Sequence, residues 1–362
     1  MPDLELPIFR RFPALAGQLP HRRFLAGVTP VQPLVLDGVP EGRLFIKRDD
    51  LSCSLYAGNK PRKLEFILGR ALERGVRRIV TTGGLGTNHG LATTILAREV
   101  GIDTTLVLVN QPVTAKVHDS LLLFASYGGR VIHARSVPGA VVSTALALSD
   151  TFARGERPAL VPTGGSCPLG NIGIVSAGLE LGEQIRAGEL PEPEQIFVPV
   201  GTGGTIVGLT LGIRLAGLSS CVVGVLVTDI LPPGPSRLAR AAARTMRLMR
   251  RFDPSVPDLA IGAADFALVT DQLGAGYGAL TPESEEAVVV ASQSNIGLET
   301  TYTGKCLAEI LARARRGELA AGPTLFWNTY NGADVWARAP RRAKTEELPA
   351  SLRRLLAQST DR

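Results

Sequence analysis

At 362 residues the chain is long enough for about two domains around a large core, and its 45% hydrophobic and 20% charged content is that of an ordinary globular enzyme. The formal net charge of +6 is spread along the chain, with an Arg-rich stretch from Arg338 onward; with no recognised nucleic-acid motif and 5% aromatic residues, it favours anionic small substrates over a nucleic-acid partner. Cys53, Cys167, Cys221 and Cys306 show no CxxC or zinc spacing, no run of about 18 apolar residues spans a membrane, and the opening "MPDLELPIFRRFPALAG" does not resemble a signal peptide; no metal, no membrane and a reduced cytoplasmic setting are therefore expected.

From residue 43 onward strands alternate with helices. "RLFIK" reads as a strand and 61–74 as a helix, with Pro61 at its first position and Gly75 at its stop. "RRIVTTGG" is a strand, and "TNHGLATTILAREVG" a helix closed by Gly101. "TTLVLV", a helix at 115–127, "RVIHA" and a helix at 138–154 follow. Next come the strand "ALVPTGG" and the helix "NIGIVSAGLELGEQIRAG". "QIFVPVGTGGT" is a strand running into a glycine loop and a helix. "CVVGVLVTD" is a strand, 234–250 a basic helix, and helices near 282–294 and 304–315 precede the strand "TLFWNT". Nearly continuous apolar strands between amphipathic helices imply parallel sheets covered on both faces, an α/β fold rich in tight βα turns. No internal repeat is visible.

One stretch runs against helix electrostatics. In "YAGNKPRKLEF", residues 56–66, Lys60, Arg62 and Lys63 crowd a helix start, where the macrodipole repels cations. A solvated basic surface is one explanation. An anion held at the helix start, beside a desolvated lysine, is the other.

Three βα turns bear on that choice, because ligands in open α/β folds sit beyond the carboxyl ends of strands. "VGTGGTIVGL", 200–209, offers Gly201, Gly203 and Gly204 for close backbone approach, with Thr202 and Thr205 hydroxyls beside them. It is either a phosphate cradle or a tight structural turn, and it matches neither the Walker nor the dinucleotide pattern. "GGLGTNHG", 83–90, carries Thr87 and Asn88 at an N-cap, with His89 after them as a core, surface or catalytic histidine. "LETTYTGKC", 298–306, places Tyr302 and Thr303 just before a helix.

"IKRDDLSCSLYAGNKPRKLEF", "GTNH", "PTGGSCPLGNIG", "VGTGGTIVGL", "GAGYGALTPES" and "TYTGK" follow one another in order. Together they resemble pyridoxal-phosphate enzymes of the tryptophan-synthase-β fold type (fold type II), and within it the D-cysteine desulfhydrase and 1-aminocyclopropane-1-carboxylate deaminase family. The resemblance covers about residues 25–335, and "GNKxRKLE" is its most specific element. It implies two three-layer α/β domains, pyridoxal 5'-phosphate as cofactor, a small amino acid as substrate and a homodimer. It implies that Lys60 bonds the cofactor as a Schiff base, that Lys63 faces its phosphate and that Gly201, Thr202, Gly203, Gly204 and Thr205 hold the phosphate from the other side. Asn88 would meet the cofactor's 3-hydroxyl oxygen. Thr87, with the N–H groups after it and His89, would receive the substrate carboxylate, and Tyr277 and Tyr302 would flank the substrate. The neighbouring cations would also disfavour protonation of Lys60.

The chain departs from the family at three points. Threonine stands at 87 where serine is usual, and the last strand reads "FWNTYNG" in place of "HTGG". Ring-opening deaminases carry Glu after the tyrosine of "YxGK" and Leu near the last strand; here Thr303 and Thr329 occupy those places. A threonine hydroxyl would leave the pyridine nitrogen neutral, which leans the resemblance toward β-elimination, giving pyruvate and ammonia. Racemisation, β-replacement, ring-opening deamination and a non-catalytic cofactor-binding protein remain as alternatives. The chain order further implies a larger domain of 1–61 and 164–340, a smaller one of 62–163 and a tail at 341–362, with a hinge that closes on substrate.

Overall fold

The computed structural model describes residues 6–360, so the first five residues of the opening segment, and the last two of the tail, lie outside the described residues. In chain order the elements begin α1 (Pro7–Arg11), β1 (Val31–Pro33), β2 (Leu44–Lys47), α2 (Lys60–Glu73), β3 (Arg78–Gly84), α3 (Asn88–Glu99), β4 (Asp103–Val109) and α4 (Ala115–Ser126). They continue β5 (Arg130–Arg135), α5 (Val137–Ala153), β6 (Pro158–Val161), α6 (Pro168–Arg186), β7 (Gln195–Val200), α7 (Gly204–Leu215), β8 (Cys221–Leu226) and α8 (Pro235–Phe252). The chain closes with β9 (Ala267–Val269), α9 (Pro282–Gln293), α10 (Thr303–Arg316), β10 (Thr324–Trp327) and α11 (Ala350–Thr360). Among the described residues no helix is long and apolar enough to cross a membrane.

The chain divides into two units, 1–66 with 166–333, and 67–165 with 334–362. The first holds a six-stranded sheet in the order β1-β2-β10-β7-β8-β9, parallel except for β1, which runs antiparallel to β2 at the edge. Two apolar clusters are built on it, one including Ile196, Val198 and the inward faces of α6, α7 and α8, the other including Phe197, Phe326 and those of α9 and α10. The second unit holds a four-stranded parallel sheet, β5-β4-β3-β6. Both sheets are of the parallel, helix-covered kind that the apolar strands imply. The two edge pieces β1 and β9 are three residues each and carry no periodicity for a sequence reading to detect.

The C-terminal segment packs with the second unit rather than standing apart as a tail. Tyr127 donates to the Val335 carbonyl at 2.6 Å, the Trp336 indole N–H to Asp119 at 2.6 Å, and Ala343 N–H to Ser126 Oγ at 3.0 Å. Leu352 and Leu356, one helical turn apart on α11, are buried. The N-terminal boundary also differs. Phe66 belongs to the first unit, so the first half of α2, with Lys60, Arg62 and Lys63, does too.

What positions the start of α2 is close helix packing and a buried ionic network. A Cβ on Gly178 of α6 would lie 2.8 Å from Gly212 Cα of α7, so these two helices approach backbone to backbone. A Cβ on Gly173 would collide with the Arg62 carbonyl oxygen, so α6 approaches α2 equally closely. At that crossing the Arg62 guanidinium binds Asp49 at 2.7 Å and Glu180 at 2.9 Å. Lys47 Nζ binds Glu180 at 2.6 Å, and the Trp327 indole donates to Asp49 at 2.8 Å. Burial works against the Glu180 carboxylate, but Arg62 and Lys47 outweigh it and hold the group at about 2. The network binds β2, α2, α6 and β10 together. Deleting one partner would leave an uncompensated buried charge.

Candidate active site

Lys60 opens α2 and is half-buried. Its Nζ donates to Asn59 Oδ1 at 2.7 Å, and Asn59 Nδ2 donates to Thr205 Oγ1 at 2.8 Å. Burial lowers the Lys60 ammonium to about 8, against an opposing pull from Glu299. Lys63 sits one turn further along α2, is 2% exposed, and is lowered to about 7, first by burial and then by the charge of Lys60, with the Cys167 thiol opposing. The effect expected of the neighbouring cations on Lys60 thus falls on Lys63; at Lys60 the first cause is loss of water.

The turn ahead of Lys60 is set by Gly58. Its φ is +83°, and a Cβ there would strike the carbonyl oxygens of Thr329 and Tyr330, so the turn admits only glycine. The Gly58 carbonyl accepts from Ser52 Oγ at 2.8 Å, and its N–H donates to the Asp49 carbonyl at 2.8 Å. From the segment after β10, Asn331 Oδ1 accepts from Ala57 N–H at 2.7 Å.

β7 ends at Val200 and α7 begins at Gly204, with Gly201, Thr202 and Gly203 between. Gly203 has φ +88°, and the Gly204 N–H donates to Ser166 Oγ at 3.2 Å. Ser166 Oγ lies 2.6 Å from Thr202 Oγ1. A Cβ on Gly204 would fall 2.5 Å from Ser166 Oγ and 2.8 Å from Lys63 Nζ. A bare helix N-terminus, two hydroxyls and a buried ammonium therefore converge on one point. That donor set matches a phosphate dianion, whose charge would offset the burial and cation repulsion that lower Lys63. By that test the site fits pyridoxal 5'-phosphate, with the close approach at Gly204 leaving no room for a side chain.

Tyr302 and Tyr277 form a pair beside this loop. Their hydroxyls are 2.9 Å apart, their rings meet edge to face at 6.0 Å, and a Cβ on Gly201 would lie 3.3 Å from the Tyr302 ring. Burial first, and the proximity of other phenols and Glu299, raise the Tyr302 hydroxyl well above its ordinary value; burial likewise raises Tyr277, with the bond from Tyr302 opposing. Both stay protonated at neutral pH. Thr303 is 1% exposed and its hydroxyl accepts from Glu299 N–H at 3.0 Å. Thr329 is half-buried and lies two residues past the end of β10. Glu299 accepts N–H bonds from Thr301, Tyr302 and Thr303 at 2.7–3.0 Å, so this carboxylate caps α10 and supports Tyr302.

The second unit carries Thr87, Asn88 and His89. Thr87 caps α3, accepting from Gly90 N–H at 3.2 Å, and is buried; Asn88 follows it, half-buried. The methyl group by which threonine exceeds serine has its room made by glycine, since a Cβ on Gly90 would lie 2.5 Å from Thr87 Cγ2. His89 is buried with Nε2 3.1 Å from Thr81 Oγ1, which in turn donates to the Val161 carbonyl at 2.8 Å. That placement favours a packing role for His89 over contact with substrate.

Lys60, Lys63, 201–205, Tyr277, Tyr302, Thr303 and Thr329 thus share one unit, and Thr87, Asn88 and His89 the other. Asn59, Ser166 and Glu299 were not singled out from the sequence. All three lie inside motifs quoted above, and their signal was adjacency: Asn59 to Lys60, Ser166 to the cysteine before α6, Glu299 three residues ahead of Tyr302.

Comparison with known proteins agrees with this geometry. The family model for "Pyridoxal-phosphate dependent enzyme" matches residues 23–329. The chain is 31% identical to nocardicin C-9' epimerase of Nocardia uniformis subsp. tsuyamanensis over 323 residues, 86% of this chain and 93% of the relative. It is 29% identical to a putative 1-aminocyclopropane-1-carboxylate deaminase of Pyrococcus horikoshii, over 84% of this chain and 90% of the relative. Among solved structures, an ACC deaminase homologue superposes with TM-score 0.72 at 29% identity, covering 90% of this chain and 94% of that one. A threonine deaminase, at 18% identity and TM-score 0.57, shares the fold, covering 91% of this chain and 98% of that one.

Proposed function

The chain belongs to the pyridoxal-phosphate dependent enzyme family, and from that premise we propose a lyase or deaminase of small amino acids whose reaction is β-elimination of the D-cysteine desulfhydrase kind, giving pyruvate and ammonia. The observation that carries this is the Lys60 amine, lowered to about 8 by burial beside a phosphate-shaped cradle. Lys60 would hold the cofactor covalently, with Lys63, Ser166, Thr202 and the Gly203–Thr205 backbone on its phosphate. Bound pyridoxal phosphate supplies an electron-withdrawing ring that acidifies the Cα–H bond of an amino acid. Once the substrate's own amine has replaced Lys60 on the cofactor, a useful fraction of Lys60 would be free base near neutral pH and would take the Cα proton. The protonated Tyr277–Tyr302 pair would donate a proton to the departing β-substituent. Thr87, Asn88 and the N–H groups at the start of α3 take the substrate carboxylate.

The choice of elimination over ring opening rests on Thr303 and Thr329, neutral groups where ring-opening deaminases have Glu and Leu. Glu299 sits ahead of Tyr302, not after it as that Glu does, and three backbone N–H groups engage its carboxylate, which supports a capping role for it. A second reading, epimerisation, is favoured by the 31% identity to an epimerase; the tyrosine pair would then return a proton to Cα. The homodimer and the cytoplasmic setting belong to the same proposal.

The test is a scan of D- and L-amino acids with the cofactor-loaded protein. Keto-acid and ammonia release from D-cysteine is the expected result. Appearance of the other enantiomer without keto acid would establish epimerisation instead, and 2-oxobutyrate from 1-aminocyclopropane-1-carboxylate would establish ring opening. Borohydride treatment followed by peptide mapping should place the cofactor on Lys60.

A further inference from the structure

We infer that Asn59 is a positioning residue for Lys60, an amide that holds the free lysine amine in place and ties it to Thr205 at the start of α7. The inference rests on the proposed role of Lys60 as base. Asn59 is 4% exposed and lies just outside the helix that Lys60 begins. Adjacent side chains within a helix do not face one another, so the contact requires that flanking position. Its orientation is dictated by chemistry. The ammonium can only donate, and an amine that keeps its lone pair for the Cα proton also donates, so the amide oxygen faces Lys60 Nζ, at 2.7 Å. The amide NH2 then faces Thr205 Oγ1, at 2.8 Å.

Both ends of this bridge are rigid. Behind Asn59, the Gly58 turn is bonded to Ser52 and Asp49 and enclosed by the Thr329 and Tyr330 carbonyls. Ahead of it, Thr205 is buried in the first turn of α7. Lysine has many rotamers to choose among, so an amine that must meet one proton gains from a fixed acceptor. A neutral amide suits the task better than a carboxylate. It directs the amine without adding a negative charge that would keep the proton on it. The charged groups acting on or beside that amine are Glu299, from the turn ahead of α10, and Lys63, one turn along α2.

The variants are Asn59→Asp, which keeps the shape and adds a charge, Asn59→Ala, which removes the bridge, and Thr205→Val, which cuts its far end. The first measurement uses cofactor-free protein: competitive acetylation of Lys60 with acetic anhydride across pH, read by mass spectrometry. Asn59→Asp should move the Lys60 titration up by about one pH unit, a roughly tenfold loss of free amine at neutral pH. The second uses cofactor-loaded protein: Asn59→Ala should lower kcat about tenfold or more with little change in KM, and Thr205→Val should lower it less. A Lys60 titration unmoved by Asn59→Asp, or wild-type kcat in Asn59→Ala, overturns the inference while leaving Lys60 as base. Borohydride labelling of a lysine other than Lys60 overturns both.

Discussion

Helices α2 and α8 both carry clustered cations and differ in what surrounds them. Along α8, Arg237, Arg240, Arg244, Arg247, Arg250 and Arg251 recur every three or four residues on the outer side, while Leu238, Ala242, Met246 and Met249 face inward. At the start of α2, Arg62 and Lys63 are each 2% exposed and Lys60 is half-buried. An exposed guanidinium keeps its hydration, and its stem covers apolar surface, so a row of them needs no partner. A buried ammonium must find an anion or give up its proton. Within α2 the fold itself meets Arg62 with Asp49 and Glu180, whereas the charge that acts most on Lys63 is that of another lysine. Burial and the sign of the nearest strong charge, rather than the clustering of cations, are therefore what set the start of α2 apart from α8.

The sharpest way to break this comparison is Arg62→Met. It strands Asp49 and Glu180 in the core and should cost about 3–5 kcal/mol, read from urea unfolding of the cofactor-free protein. A loss no larger than that of an α8 arginine would show that burial does not separate the two helices.

Lys63→Met should fold normally and bind pyridoxal 5'-phosphate about tenfold to a hundredfold more weakly, the worth of one charge-assisted hydrogen bond. Binding of unphosphorylated pyridoxal should hardly change. Equal losses for both ligands would remove Lys63 from the phosphate.

A pH series probes the same contrast with a smaller signal. Lys60 and Lys63 titrate at about 8 and about 7 in the fold, below the ordinary lysine value of 10.5. Between about 7 and 10.5 the unfolded chain holds more protons than the folded one, so the stability of the cofactor-free protein should rise with pH there. Glu180 acts at the other end. Its folded value of about 2 lies below its ordinary 4.5, so its contribution is complete above 4.5 and is lost as pH falls through about 2. A flat profile from about 7 to 10.5 would contradict the burial of both lysines.

Arg244→Ala on α8 should change stability by no more than about 0.5 kcal/mol and leave turnover intact. A tenfold loss of activity would mean that the α8 stripe does more than stay hydrated.

Much of the site was legible because its residues are contiguous. "GNKPRKLE" names the lysine and its neighbours in one short stretch, and "VGTGGT" names a strand end, a left-handed glycine and a helix start in six residues. Asn59 and Glu299 were not legible, because an amide beside a lysine and an acid before a helix are common, and only their bonding to Lys60 and to the N–H groups of Tyr302 and Thr303 distinguishes them. The 3.1 Å contact of His89 Nε2 with Thr81 Oγ1 was not legible either, because it joins a helix start to a strand.

The amino-acid order alone determined the alternation of strands and helices, the parallel sheets and the cation cluster, because these depend on periodicity and on neighbours in the chain. Only the tertiary structure decided which cations meet carboxylates from within. The partners of Arg62 lie 13 and 118 residues away, and the hydroxyl beside the glycine loop comes from Ser166, 38 residues before Gly204. Those separations close only when α2, α6 and α7 pack backbone to backbone, and it is that packing that strips water from Lys60 and Lys63 and lowers their hold on a proton.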